Sequence, residues 1–124
     1  MTARMCRTEH DEQVFVMAWA ALNVNRFPCL RWLYAVPNGG HRHRIVAAKM
    51  KAEGVKSGVA DLCLPFPAGG YHGLYLELKA LNGRVSDAQV EFIEYVESVG
   101  YIGAVCYGAD VAIAVIEKYL GETG

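Results

Sequence analysis

The segment that most restricts this chain is Gly73-Leu-Tyr-Leu-Glu-Leu-Lys79, bounded by glycine on one side and Asn82-Gly83 on the other. It reads as a strand, and strand side chains alternate between faces. Leu76 and Leu78 therefore point into a core, while Glu77 and Lys79 share the opposite face. A sheet with a leucine face needs a second layer packed against it. The chain must supply that layer within 124 residues, about the length of one domain. We expect a single domain over residues 1–124.

The flanking segments supply the helices. Residues 11–25 carry Phe15, Val16, Trp19 and Leu22 at three- and four-residue steps, the period of a helix with one apolar stripe. Pro28 closes the connection, and Arg31-Trp-Leu-Tyr-Ala-Val36 reads as a short strand ending at Pro37. Asn38-Gly39-Gly40 is a turn, and a basic helix follows over residues 43–53, stopped by Gly54. Val59-Ala-Asp-Leu-Cys-Leu64 predicts a strand, with Pro65, Pro67, Gly69 and Gly70 marking the loop after it. A helix over 86–99, a strand over 101–107 and a helix over 110–120 complete the chain. The order α-β-α-β-β-α-β-α is that of an α/β fold, a mixed sheet flanked by helices.

A composition 53% hydrophobic and 20% charged excludes intrinsic disorder. No apolar run reaches the roughly 18 residues of a membrane span. The early acids Glu9, Asp11 and Glu12 are unlike a signal peptide. The four cysteines (Cys6, Cys29, Cys63, Cys106) are scattered, without a CxxC or zinc spacing to histidine. Cys63 and Cys106 lie in apolar runs and read as buried, reduced thiols of a cytoplasmic protein.

Glu77 and Lys79 on one strand face can act together: the carboxylate holds a divalent cation, and the ammonium orients a water or stabilises charge on a phosphate. A hairpin through the Pro/Gly loop brings Asp61 toward Glu77. Two carboxylates, a backbone carbonyl and waters make a hard oxygen site suited to Mg²⁺. An isolated Glu-x-Lys is far more often a solvated sheet face with a weak ion pair. Asp61 alone is likewise more often a strand-start residue than a ligand.

Four ordered motifs raise the specificity. Asn38-Gly-Gly-x-Arg42, Gly54-Val-x-x-Gly-Val-Ala-Asp-Leu62, Leu76-Glu-Leu-Lys79 and Gly83-x-x-Ser-x-x-Gln89 resemble the VRR-NUC nucleases, the virus-type replication-repair branch of the PD-(D/E)XK superfamily. The resemblance spans nearly the whole chain, from about Glu9 to the end. It implies a restriction-endonuclease-like core and Mg²⁺- or Mn²⁺-dependent hydrolysis of DNA phosphodiesters. It also implies a homodimer cutting branched DNA, similar to Holliday-junction resolvases, in a bacterial or phage-infected cell. Residue by residue, it assigns catalysis to Asp61, Glu77, Lys79 and Gln89. Metal ligation falls to Asp61, Glu77 and the Leu78 carbonyl, with no organic cofactor. The family's first-helix glutamate matches Glu9, four residues before Gln13, while Glu12 at the edge of the apolar stripe is a rival. The usual proline before the aspartate is Ala60 here.

Other readings stay open at this point. Ser86-x-x-Gln89 is also a capping box, and capping and active-site roles for Gln89 are compatible. Asn38, Arg42, Arg44, Lys49, Lys51 and Lys56 are candidate DNA contacts, against the reading that a basic helix is a solvated face. His41 and His72 are surface residues or DNA contacts, and Tyr71 and Tyr75 are packing residues or base-stackers. Trp19, Trp32, Tyr34 and Phe92 are expected in the core. The apolar last helix, with Val111, Ile113, Val115 and Ile116, packs on its own sheet or forms the dimer interface. A non-catalytic DNA-junction-binding module on the same fold is the alternative function. An enzyme acting on a small phosphorylated substrate fits the metal site but not the basic stretch. The formal charge of −1 does not exclude DNA, because residues 26–56 carry +6 and residues 57–124 carry −6.

Overall fold

The computed structural model describes residues 7–37 and 44–121. Its helices are α1 (Glu9–Leu22), α2 (Arg44–Ala52), α3 (Asp87–Ser98) and α4 (Ala109–Tyr119). Its strands are β1 (Tyr34–Ala35), β2 (Leu62–Leu64), β3 (Leu74–Lys79) and β4 (Ile102–Tyr107), and a 3-10 helix spans Pro28–Trp32. The sheet order is β1-β2-β3-β4. β1–β2 and β2–β3 pair antiparallel and β3–β4 parallel, with α3 as the crossover. This is the expected mixed α/β sheet flanked by helices. No described helix is long and apolar enough to cross a membrane.

The inner face of the sheet carries Leu62, Leu64, Leu74, Leu76, Leu78 and Cys106, all buried. Register explains the grouping: Leu62 faces Leu76, Leu64 faces Leu74, and Leu78 faces Cys106, so all six share one face. Val16 and Ala20 of α1 and Ala109, Ala112 and Ile116 of α4 close over them. Ile116 is thus committed to the protein's own core, whereas Val111 on the same helix is exposed. Cys63 and Cys106 are buried free thiols as expected, and burial pushes the Cys106 thiol up to about 11.

Helix starts follow their caps. Thr8 accepts from the Asp11 N–H at 3.1 Å, and the Asp11 carboxylate accepts from the Thr8 N–H at 3.0 Å. This box starts α1 at Glu9, two residues ahead of the expected 11–25. The strand expected over 31–36 shrinks to Tyr34–Ala35. Pro28 opens a 3-10 turn instead, and three-residue spacing places Leu30 and Leu33 together in the core. Trp32 and Tyr34, expected in the core, are 61% and 49% exposed, because that core side is already filled by Leu30 and Leu33. Trp19 does pack against the core. Phe92 is partly buried against Tyr75, their ring centroids 5.1 Å apart.

Candidate active site

Three elements build the site. β3 brings Glu77 and Lys79 to the outer sheet face, as the alternation predicted. That face is not solvated here: Glu77 is 2% exposed and Lys79 7%. The hairpin partner β2 pairs only as far as Leu62–Leu76. Beyond that point the Asp61 side chain replaces backbone pairing, its Oδ2 accepting the Leu78 N–H at 2.7 Å. The Asp61 carbonyl meanwhile accepts the Val36 N–H at 2.8 Å, which ties it to the end of β1. Asp61 is therefore held from both sides, beside Glu77.

The third element is α3. Gly58, at φ +88°, lies so close to its first turn that a Cβ there would sit 2.6 Å from the Ala88 carbonyl oxygen. Only glycine permits that approach, which docks the α3 N-terminus beside Asp61 and Glu77. Ser86 caps the helix, accepting the Gln89 N–H at 3.1 Å, while Gln89 Oε1 accepts the Ser86 N–H at 2.8 Å. The same Gln89 side chain donates from Nε2 to Glu77 Oε2 at 2.8 Å. Capping and site contact are thus performed by the two ends of one amide.

Glu77 Oε2 also has the Lys79 ammonium at 3.9 Å. Its other oxygen, Oε1, is buried and accepts no hydrogen bond among the described residues. Burial pushes the Glu77 carboxyl up to about 8; the Asp61 carboxyl beside it adds to the rise, and Lys79 opposes it. Two carboxylates facing each other, with an oxygen that no donor reaches, fit a hard divalent cation. Asp61, Glu77 and the Leu78 carbonyl are the protein atoms available to hold one. No group of three or more His, Cys, Asp or Glu side chains among the described residues is arranged to hold a metal ion. Water would therefore complete the shell.

The two first-helix acids occupy different places. Glu9 is exposed, and its Oε2 and the Lys79 Cδ both lie 3.2 Å from where a Gly83 Cβ would stand. Its charge is felt at Glu77. Glu12 is 3% exposed. Its Oε1 accepts the N–H of Ala109 at 2.7 Å, and Arg7 Nε lies 3.4 Å from Oε2. Helix α4 begins at Gly108 with no capping side chain of its own, so Glu12 performs that task from 97 residues away. Sequence reasoning did not find this role. The signal available was an acid at the edge of a buried stripe and a helix start without Ser, Thr, Asp or Asn.

Among the candidate DNA contacts, Arg44, Lys49 and Lys51 lie on α2, a helix with no buried residue, and Lys56 is exposed after it. Asn38 and Arg42 lie outside the described residues, as do His41 and the Asn38-Gly39-Gly40 turn. Tyr75 is half-buried between Phe92 and Tyr101, and the exposed His72 meets the Tyr101 ring edge-on at 5.6 Å.

The profile of the VRR-NUC domain matches residues 3–110. The chain belongs to the VRR-NUC family. A solved structure described as a VRR-NUC domain protein is 35% identical, covers 91% of this chain and 88% of its own, and superposes with a TM-score of 0.76. No curated protein matches the chain. VRR-NUC is a nuclease-type domain, so the function of this member is nuclease-like. The likeness to a solved member also agrees with the restriction-endonuclease-like core that the motifs implied.

Proposed function

We propose that the protein is a Mg²⁺- or Mn²⁺-dependent DNA nuclease that hydrolyses phosphodiester bonds, with branched DNA as its substrate and a homodimer as its working form. The buried Glu77 Oε1, without a donor and beside Asp61, carries the reading. Asp61, Glu77 and the Leu78 carbonyl would hold the cation, which would supply a water of lowered pKa and offset charge on the phosphate.

The chain's own residues account for the rest. The Leu78 N–H anchors one oxygen of Asp61 and so fixes the rotamer of the carboxylate. Gln89 and Lys79 both sit at Glu77 Oε2, which leaves Oε1 for the cation. The Lys79 ammonium, nearly buried, is the group placed to orient the attacking water or meet the charge that develops on the phosphate. Exposed Arg44, Lys49, Lys51 and Lys56 supply backbone attraction that falls steeply with salt.

The test is a panel of flap, fork, four-way junction and linear DNA with Mg²⁺ or Mn²⁺, run on wild type and Lys79→Ala. Wild type should cut at least one branched substrate. The variant should lose cleavage about 10²- to 10³-fold while keeping DNA affinity. Wild type that leaves every DNA intact would refute the catalytic reading, and binding without cleavage would favour a junction-binding module.

A further inference from the structure

The outer sheet face, which carries the site, is covered unevenly. Over β3 and β4 it is closed by α3: Phe92 packs on Tyr75, and Ile93 and Val96 stand against Gly103. At the β1 edge it ends in Tyr34. Register fixes this placement: Tyr34 faces Cys63, and Cys63 faces Tyr75, so Tyr34 shares the face of Asp61, Glu77 and Lys79. Val36, just past that strand, donates its N–H to the Asp61 carbonyl. Tyr34 thus stands about 7 Å along the edge from the level of Asp61.

The ring there is available. Tyr34 is 49% exposed at the end of the sheet. Trp32, two residues earlier, is 61% exposed, with the Arg31 guanidinium 5.0 Å over its ring. An exposed tyrosine at the sheet edge on the face of Asp61 and Glu77, with an exposed tryptophan stacked by an arginine two residues before it in the chain, offers the kind of side chains on which unpaired bases stack. Paired bases inside a duplex do not present their faces to such a surface.

We propose that Tyr34, helped by Trp32 and Arg31 just before it in the chain, is a stacking platform for an unpaired nucleobase next to a phosphate that a cation would bind at Asp61 and Glu77. The proposal rests on the nuclease reading and narrows it: the preferred DNA has a base out of its stack beside the cut. The phosphate-binding residues place the strand, and Tyr34 selects for local unpairing.

The experiment uses the full chain with Ca²⁺ in place of Mg²⁺ or Mn²⁺, so that a cation offsets the carboxylates, checks by electrophoresis that the DNA stays intact, and takes a series of oligonucleotides with 2-aminopurine at successive positions around a flap or fork junction. Wild type should quench the probe at one unpaired position. Tyr34→Leu should abolish that quenching and weaken binding of the unpaired substrate about tenfold, the effect of one lost stacked base, with duplex affinity unchanged. Tyr34→Phe should retain both signals. Circular dichroism melting checks that the variants fold, and Trp32→Ala gives a second reading if Tyr34→Leu does not. For Trp32→Ala, weaker binding confined to unpaired DNA supports the platform, and equal affinity overturns it.

Wild type that binds without quenching at any position overturns the platform, as does an equal loss on duplex and unpaired DNA. Quenching without metal-dependent cleavage keeps the platform and refutes the catalysis. Cleavage without quenching does the reverse. A chain that binds no DNA refutes both.

Discussion

Glu77 makes the metal-free protein lose stability as the pH rises. Its folded carboxyl titrates near 8, against an ordinary 4.5 in the unfolded chain, chiefly because burial disfavours the charged form. Between those values the folded state holds a proton that the unfolded state has released. Stability from this group is therefore complete below about 4.5 and is lost as the pH rises through about 8. At about 1.4 kcal/mol per pH unit, the whole interval is worth on the order of 5 kcal/mol, a large share of a small domain's stability. The assay is urea unfolding in chelator at a series of pH values from about 5 to 9, on wild type and on Glu77→Gln. The substitution keeps an acceptor for Gln89 and removes the ionisation. The wild-type curve should fall relative to the variant by several kcal/mol across that range, and added Mg²⁺ should recover most of the loss at the alkaline end. Parallel curves for the two proteins would refute the account of Glu77 as a buried acid held neutral.

Gln89→Ala removes the Glu77 contact and half of a capping box, and should lower activity or Mg²⁺ affinity about 10- to 100-fold in cleavage assays or calorimetry. Its stability loss of about 1 kcal/mol should show in urea unfolding. Glu12→Ala leaves the buried Ala109 N–H without its acceptor and should cost about 1–3 kcal/mol, or about 4 °C of Tm per kcal/mol by calorimetry. Glu12→Gln should recover much of that loss, and both folded variants should still cut DNA; a dead but stable Glu12→Gln would mark Glu12 as part of the reaction. Gly58→Ala should lose on the order of 3 kcal/mol in urea unfolding, because a Cβ at φ +88° meets the Ala88 backbone at 2.6 Å.

The parts of this fold that a sequence displays are those set by local periodicity and local caps. The alternation of β3 and the Ser86/Gln89 box each follow from residues within a few positions of one another. The 31–36 segment was misread because Trp, Tyr and Val favour strands, while the decisive signals were Pro28 and the three-residue step from Leu30 to Leu33. Trp32 and Tyr34 were misplaced for a different reason. Large apolar residues fill a core only while it has room, and the exposed surface of a folded protein remains largely apolar. At the site, the pairing of Asp61 with Glu77 was legible as a hairpin. The Leu78 N–H bond to Asp61 was not, because it depends on where two strands part.

Those distant contacts decide what the site can do. Asp61 and Glu77 repel as anions, and neither sits where bulk water could screen it. They stay together because each is fastened by its other oxygen: Asp61 to the β3 backbone, Glu77 to Gln89 of α3. The fastening leaves a gap that one proton fills below about pH 8, and a cation bound at Glu77 Oε1 would compete with it. Cation affinity should therefore rise with pH and level off above about 8, where no proton remains to be displaced. The same rigid holding makes the site ready for a cation without rearrangement. Loosening either fastening should then lower cation affinity, as Gln89→Ala does at Glu77, and a loosened variant that bound the cation more tightly would contradict it.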